Sequence, residues 1–197
     1  MFLSLSNPSV YLLYQGMLGA KRARRQAVEE YVRPLRGQRV LDIGCGPGYV
    51  SEYFEGVDYI GFDTDKAYID YANRKYGRRG SFFCQEFDDT VGSRLEPFDI
   101  VMMNGLLHHL QDGIAVELLQ RVKRVLKPGG KLVTLDCYYV RGQNFIVRKL
   151  LQLDRGKYIR QEKDYIKLVS GVFDTVTAHI RNDLMFIPYP LIVMQIS

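Results

Sequence analysis

The chain of 197 residues has the length of one domain, and its 47% hydrophobic and 25% charged residues exclude a disordered or collagen-like protein. The net charge is unevenly placed: residues 1–39 and residues 138–170 each carry +5, and the remaining 125 residues carry −5. This distribution argues against a uniformly basic nucleic-acid-binding protein, but it leaves room for a local site for an anionic partner.

The cysteines and the uncharged start of the sequence bear on the compartment. Cys45, Cys84 and Cys137 lack the spacing of zinc ligands or of a redox pair, so no disulfide framework is expected and a reducing, cytoplasmic compartment is predicted. Met1–Ala20 is uncharged but interrupted by polar residues and too short to span a bilayer, so neither a signal peptide nor a transmembrane segment is predicted. The preferred interpretation is a helix packed on the body; the alternative is an interfacial element that contacts a membrane.

Short β-branched or aromatic segments alternate with helical patterns, which predicts an α/β domain built from βαβ crossovers. The predicted elements in chain order are helices Val10–Leu18 (capped by Asn7-Pro8-Ser9) and Lys21–Val32, strand Arg39–Ile43, helix Tyr49–Phe54, strand Tyr59–Phe62, helix Lys66–Tyr76, strands Ser81–Cys84 and Phe98–Met103, helix Gly113–Leu126 and strand Lys131–Asp136. A turn is predicted at Pro128-Gly129-Gly130. Residues 138–170 then form a basic insertion with two helical stretches. Strands Val172–His179 and Leu191–Ile196 follow, and the second is apolar enough for an interior position.

The most informative segment is the glycine-rich turn that follows the first predicted strand. Gly44, Gly46 and Gly48 stand at alternate positions, where they let the backbone turn tightly and approach a ligand closely. Asp42 precedes them in the strand and can orient the loop or accept a hydrogen bond from an ammonium group. Asp63 closes the second strand, where a carboxylate can accept both hydroxyls of a ribose.

Two classes of cofactor could explain this arrangement of glycines and acids. A dinucleotide site requires a small residue at the position of Tyr49, and a pyrophosphate gains nothing from Asp42 beside it. The pattern D-x-G-x-G-x-G instead suits a cofactor with a cationic amino-acid end and a ribose but no phosphate. That description fits S-adenosylmethionine.

From Arg39 to Asp136 the sequence resembles the class I S-adenosylmethionine-dependent methyltransferases of the small-molecule type. The matching motifs are the glycine loop Val40–Gly48, the ribose-binding strand end Tyr59–Asp63 followed by Thr64 and Asp65, the fourth strand Phe98–Val101 with its loop Leu106–Leu110, and the turn Arg124–Leu132. The resemblance implies one domain over residues 1–197 with a Rossmann-like, seven-stranded sheet, helices on both faces and the last strand antiparallel. Residues 1–36 would supply N-terminal helices, and residues 138–170 a substrate-side insertion.

The resemblance also implies a set of cofactor-binding residues. They are Asp42, Gly44, Cys45, Gly46, Gly48, Asp63, Thr64, Glu86, Phe87, Asn104 and Gly105. Glu86 is expected to hold the adenine with Phe87 stacking on it, and Asp88 is the alternative acid. Asn104 and Gly105 should face the methionine end and the sulfonium.

His108 and His109 are the candidate general bases, since a neutral imidazole titrates near the working pH. In relatives a histidine in this loop also packs against the fourth helix or bonds to the backbone, so both interpretations stay open. His179 is predicted to be a core or sheet-surface residue.

No metal site is expected, because residues 105–109 lack both acids of the Glu-x-x-Glu-His pattern of quinone-type enzymes. Gly105 after Asn104 also argues against the Asn/Asp-Pro-Pro-aromatic motif of enzymes that methylate nucleobase or glutamine nitrogens.

The acceptor is expected between the N-terminal helices and the insertion. The aromatic residues there are Tyr11, Tyr14, Tyr138, Tyr139, Phe145, Tyr158 and Tyr165, and the cations that could clamp a phosphate or carboxylate are Arg141, Arg148, Lys149, Arg155 and Arg160. Alternatively, these side chains only cover the sheet edge. Tyr14 or Arg25 could reach the cofactor carboxylate. The predicted partner is a small-molecule acceptor, and the sequence leaves open whether it is anionic, sugar-like or lipid-like. An RNA or protein acceptor and a non-catalytic cofactor-binding module are the alternatives.

Overall fold

The computed structural model describes Gly16, residues 19–153 and residues 156–197. Its helices are α1 (Ala20–Ala27), α2 (Lys66–Tyr76), α3 (Asp89–Gly92), α4 (Asp112–Val125), α5 (Phe145–Leu153) and α6 (Glu162–Ser170). Its strands are β1 (Arg39–Ile43), β2 (Asp58–Asp63), β3 (Ser81–Cys84), β4 (Phe98–Asn104), β5 (Leu126–Cys137), β6 (Val176–Arg181) and β7 (Leu191–Ile196). A π-helical turn, Val28–Val32, continues α1, and 3₁₀ turns cover Tyr49–Tyr53 and Leu107–His109.

The strands form one seven-stranded sheet in the order β3-β2-β1-β4-β5-β7-β6. The first five strands pair in parallel, whereas β7 is antiparallel to both of its neighbours, β5 and β6. The predicted Rossmann-like sheet with an antiparallel last strand is therefore confirmed. The interior position predicted for Leu191–Ile196 is confirmed as well.

Both faces of the central strands β1, β4 and β7 are buried, which explains why these strands are almost continuously apolar. On one face Val40, Met102 and Val133 belong to a core that includes α1 and α2. Leu41 and Val101 belong to a second core, on the opposite face, that includes α4 and α6. Because parallel strands end at a common edge, the residues after β1, β2, β3 and β4 converge there.

Several predicted boundaries were wrong for identifiable reasons. The predicted helix Lys21–Val32 is regular only as far as Ala27 and then widens into the π-helical turn. β6 begins at Val176 rather than Val172, because the amides of Val172 and Phe173 donate to the carbonyl of Val169 and close α6 instead. The predicted helix Val10–Leu18 and its cap lie outside the described residues, apart from Gly16.

β5 begins at Leu126, five residues earlier than predicted. Leu126 pairs with Phe98, and the register then shifts so that Lys131 pairs with Ile100. The predicted turn at Pro128-Gly129-Gly130 is thus an irregularity within the strand. Among the described residues no helix is long and apolar enough to cross a membrane.

Candidate cofactor site

The glycine loop folds back over the end of β2. The amides of Gly44 and Cys45 both donate to the carbonyl of Phe62, at 2.8 and 3.0 Å. Gly44, Gly46 and Gly48 have φ angles of 75°, 54° and 74°, in the left-handed region that favours glycine. A Cβ atom on Gly46 would meet nothing within 4 Å, so the backbone is open to a ligand at this point.

The Asp63 carboxylate ties this loop to the following helix. Its Oδ2 accepts a hydrogen bond from the amide of Gly46 at 2.8 Å, and its Oδ1 accepts one from the amide of Asp65 at 2.9 Å. Asp65 in turn caps α2 by accepting from the amides of Ala67 and Tyr68. A carboxylate offers about four acceptor positions, so Asp63 retains acceptor capacity beyond these two bonds.

Asp42 lies beneath the loop and is almost fully buried. Its Oδ2 accepts a hydrogen bond from the Tyr59 hydroxyl at 2.6 Å, and its Oδ1 has no partner among the described residues. Burial raises the pKa of Asp42 to about 7, and the negative charge of Asp63 adds to the rise while the Tyr59 hydrogen bond opposes it. An unpartnered buried carboxylate oxygen is costly, and a cationic group beside it would remove that cost.

A cavity of about 380 Å³ opens next to the loop. Five of the predicted cofactor-binding residues line this cavity: Gly44, Asp63, Thr64, Glu86 and Phe87. Four further lining residues belong to the matched motifs but were not assigned to the site: Ile43, Phe62, Leu106 and Leu110. Four more were not singled out by the sequence analysis: Gln85, Ile114, Leu118 and Arg121. Ile114 and Leu118 stand at i, i+4 positions and so share one face of α4, but this spacing does not mark the face as a cavity wall.

The other predicted cofactor residues do not line this cavity; they are Asp42, Cys45, Gly46, Gly48, Asn104 and Gly105. Asn104 ends β4, and the amide of Gly105 donates to the carbonyl of Leu135 at 2.7 Å. Cys45 is buried, and burial raises the pKa of its thiol above the usual range, so it is not a reactive thiolate.

The end of β3 distinguishes the two candidate adenine acids. Glu86 is exposed at the cavity rim, whereas the carboxylate of Asp88 caps α3 by accepting from the amide of Val91 at 2.8 Å. The geometry therefore favours Glu86 over Asp88. Phe87 is 2% exposed and packs in the core against Phe62, with ring centroids 5.6 Å apart, so only part of it borders the cavity.

The two candidate bases lie in different environments. His108 is buried, and its Nδ1 lies 2.8 Å from Oδ1 of Asp136, which also accepts from the His108 amide at 3.2 Å. His109 is exposed, with its ring centroid 4.2 Å from that of His108. The sequence analysis did not single out Asp136, which lies 28 residues away. His179 is a half-buried sheet residue beside Gln195, in keeping with its prediction.

The prediction that Arg160 could bind a phosphate or carboxylate of the acceptor was wrong. Arg160 is buried, and its guanidinium bonds to the Asp112 carboxylate and to backbone carbonyls, so no donor is left for an acceptor. Tyr138 and Tyr165 are also buried, and the Tyr165 hydroxyl donates to the carbonyl of Cys137 at 3.0 Å, so they are core residues rather than an acceptor surface.

Other candidate contacts lie at the surface or outside the described residues. Arg141, Arg148 and Lys149 are exposed and pair with no carboxylate in the described part of the chain. Arg25 pairs with Glu29 at 2.7 Å on the exposed side of α1. Tyr11, Tyr14 and Arg155 fall outside the described residues.

Residues 40–130 match the family model described as Methyltransferase domain. A ubiquinone biosynthesis O-methyltransferase of Xylella fastidiosa is 31% identical over 147 residues, which cover 68% of this chain and 57% of that protein. Phosphoethanolamine N-methyltransferase 1 of Triticum aestivum is 30% identical over 168 residues, covering 80% and 33%. The crystal structure of a methyltransferase from Archaeoglobus fulgidus has a TM-score of 0.73 at 17% identity, covering 95% and 99%.

The chain belongs to the class I S-adenosylmethionine-dependent methyltransferase family. The resemblance inferred from its motifs is thereby confirmed, and S-adenosylmethionine is the cofactor of this family. The chain spans just over half the length of the Xylella fastidiosa relative. The roles of individual site residues stay predictions.

The residues of this methyltransferase domain fit the family cofactor. Gly46 leaves the loop backbone open, the Asp42 oxygen lacks a partner among the described residues, and Asp63 and Glu86 border an otherwise largely apolar cavity. The loop backbone and Asp42 suit the cationic end of the cofactor, Asp63 suits its ribose, and Glu86 suits its purine.

The loop after β4 departs from the quinone-type pattern even though a ubiquinone biosynthesis O-methyltransferase is among the relatives. Both acids of that pattern are absent from residues 105–109. Among the described residues, no three His, Cys, Asp or Glu side chains are grouped so that they could hold a metal ion.

Proposed function

We propose that this methyltransferase domain transfers a methyl group from S-adenosylmethionine to a small-molecule acceptor. The observation that carries the proposal is the Asp63 carboxylate, which joins the open glycine loop to the rim of the cavity. When bound, S-adenosylmethionine supplies an electrophilic methyl group on its sulfonium.

In this proposal each part of the site binds one part of the cofactor. Asp63 accepts hydrogen bonds from the ribose hydroxyls, and Glu86 holds the adenine within the apolar walls. Asp42 and the loop backbone favour the cationic amino-acid end, while Asn104 and Gly105 face the methionine side. These residues mainly align the reactants, since in-line methyl transfer depends on orientation.

The pair of His108 and Asp136 supports a role for His108 as the base. The Asp136 carboxylate, 2.8 Å from Nδ1, orients the imidazole as the partner of a general base would, and the proton would come from an acceptor hydroxyl or ammonium. The exposed cations Arg141, Arg148 and Lys149 support an acceptor with a phosphate or carboxylate group.

Calorimetry with S-adenosylmethionine and its demethylated product tests the cofactor site. We expect dissociation constants in roughly the micromolar range for the wild-type protein. Asp63→Asn should weaken binding by about tenfold or more, because it removes charge-assisted hydrogen bonds. Gly46→Arg should abolish binding, because it places a cationic side chain on the open loop. Asp70→Asn is the matched control, since Asp70 pairs with Lys66 on the surface of α2, away from the cavity. Failure of the wild-type protein to bind either compound contradicts the proposal.

The acceptor class is tested by turnover with probes. Phosphoethanolamine, which appears in the name of the Triticum aestivum relative, represents anionic amines. A phenol without a charged group represents neutral hydroxyl acceptors. Formation of the demethylated cofactor with phosphoethanolamine but not with the phenol supports an anionic acceptor, and the reverse result contradicts that part of the proposal.

A further inference from the structure

Arg160 joins two segments that are far apart in the sequence. Its Nε and Nη2 bond to Oδ1 of Asp112 at 2.9 and 2.6 Å, and Nη2 also donates to the carbonyl of Leu110 at 2.6 Å. Nη1 donates to the carbonyls of Leu107 and Tyr158, at 2.7 and 3.1 Å. All five N–H donors of the guanidinium are therefore used: two bond to carbonyls of the loop that follows β4, two to Asp112 at the start of α4, and one to the carbonyl of Tyr158.

Further contacts connect the same two segments. The amide of Tyr158 donates to the carbonyl of His108 at 2.9 Å, and Nε2 of Gln111 donates to the Tyr158 hydroxyl at 2.8 Å. Gly156 packs so closely on the His108 ring that a Cβ atom at this position would collide with it. Residues 156–161 thus lie directly against residues 105–111.

The held loop is also a wall of the cofactor cavity. The side chains of Leu106 and Leu110 line the cavity, and Arg160 binds the carbonyl of Leu110 itself. A shift of the loop would therefore move the cavity wall and the backbone of His108 together. Arg160 does not line the cavity.

We propose that Arg160 is a positioning residue that couples residues 156–161 of the insertion to the cofactor cavity through the loop after β4. This inference rests on the proposed function, because it requires the cavity to bind the cofactor. Ordering of the loop by the cofactor is then transmitted to residues 156–161, and contacts made by those residues strengthen cofactor binding in return.

Arginine suits this position for a geometric reason. Its planar guanidinium presents five donors in a fixed fork, whereas the lysine ammonium presents three on a flexible stem. Lysine would keep the charge opposite Asp112 but leave at least one carbonyl without its donor. Arg160→Lys therefore tests the hydrogen-bond geometry at constant charge.

Two variants and one matched control test the proposal. Arg160→Lys should raise the dissociation constant for the demethylated cofactor about tenfold, and Asp112→Ala, which removes a largely exposed partner, should raise it by a smaller factor. Arg181→Lys is the control: Arg181 makes a comparable set of bonds, but none of its partners, Glu30, Tyr31 and Asp183, lines the cavity. Calorimetry is run at a temperature at which circular dichroism shows every variant folded.

Hydrogen exchange separates coupling from simple loss of stability. In the wild-type protein the demethylated cofactor should slow amide exchange in residues 105–111 and also in residues 156–161. In Arg160→Lys the slowing should be lost in residues 156–161 while saturating cofactor still slows exchange in the loop. A purely structural arginine would speed exchange without cutting this transmission.

The outcomes separate the two proposals. Wild-type binding with an unchanged dissociation constant in Arg160→Lys overturns the coupling alone, as does equal weakening by Arg181→Lys. Absence of binding by the wild-type protein overturns the proposed function and, with it, the coupling. If Arg160→Lys fails to fold, Asp112→Ala is used in its place. The coupling is then overturned if the cofactor still slows amide exchange in residues 156–161 of Asp112→Ala and its dissociation constant is unchanged.

Discussion

Asp42 is a buried carboxyl group that the fold holds close to its titration point. Burial raises its pKa to about 7, and only one of its two oxygens has a hydrogen-bond donor among the described residues, the Tyr59 hydroxyl. Such a group changes charge at little cost near neutral pH. A residue of this kind suits a site that receives a cation, because the cation favours its charged form.

We expect Asp42→Asn to change how stability depends on pH. The folded-state pKa is raised, so the stability that Asp42 contributes is fully present below its ordinary pKa of 3.8 and is lost as the pH rises through about 7. Relative to the variant, which does not titrate there, the free energy of unfolding of the wild-type protein should fall by up to about 1.4 kcal/mol per pH unit. Urea denaturation between about pH 5 and about pH 8 measures this difference. Parallel curves for the two proteins would contradict it.

At the scale of elements, the glycine loop is held by packing as well as by backbone conformation. Gly48 immediately precedes the 3₁₀ turn Tyr49–Tyr53, and a Cβ atom on it would lie 2.6 Å from the ring of Phe82 and 3.1 Å from Ala72. The loop therefore rests directly on β3 and α2. Gly37 also has a positive φ, 86°, but a Cβ atom there would meet nothing within 4 Å.

This contrast gives a matched pair of variants. Gly37→Ala should cost about 1–2 kcal/mol of unfolding free energy, the cost of a left-handed conformation alone. Gly48→Ala should cost about 1–3 kcal/mol more, because the added methyl group must displace the Phe82 ring. It should also weaken cofactor binding, whereas Gly37→Ala should not. Chemical denaturation and calorimetry measure the two effects, and equal costs for both variants would argue against the packing role.

At the scale of the whole molecule, the tertiary contacts divide the basic residues of the insertion into two kinds. Arg160 is buried and fully bonded, so its charge serves the fold. Arg141, Arg148 and Lys149 are exposed on and beside α5 and pair with no carboxylate among the described residues. Lys157, Lys163 and Lys167 are exposed as well. Only this second kind can act on an anionic acceptor, and the three cations on and beside α5 are too few to make a strong polyanion site by themselves.

A salt titration distinguishes a small acceptor from a nucleic acid. We expect binding to polyuridylate to be lost between about 50 mM and about 200 mM salt, with the shallow slope of a few phosphate contacts. Arg148→Glu with Lys149→Glu should remove this binding, and the matched charge reversals Arg74→Glu with Arg78→Glu, on and just after α2, should not. Tight binding that survives about 200 mM salt would instead favour an RNA acceptor.

The amino-acid sequence by itself determined the strand and helix succession, the glycine loop with Asp42 and Asp63, and the family. These are encoded locally, because apolar periodicity and glycine spacing act over a few residues. The tertiary structure alone decided that His108 faces Asp136, that Arg160 holds the loop after β4, and that Ile114 and Leu118 border the cavity. The first two contacts join residues 28 and 53 positions apart, and no periodic pattern specifies which distant polar groups become partners when the sheet closes.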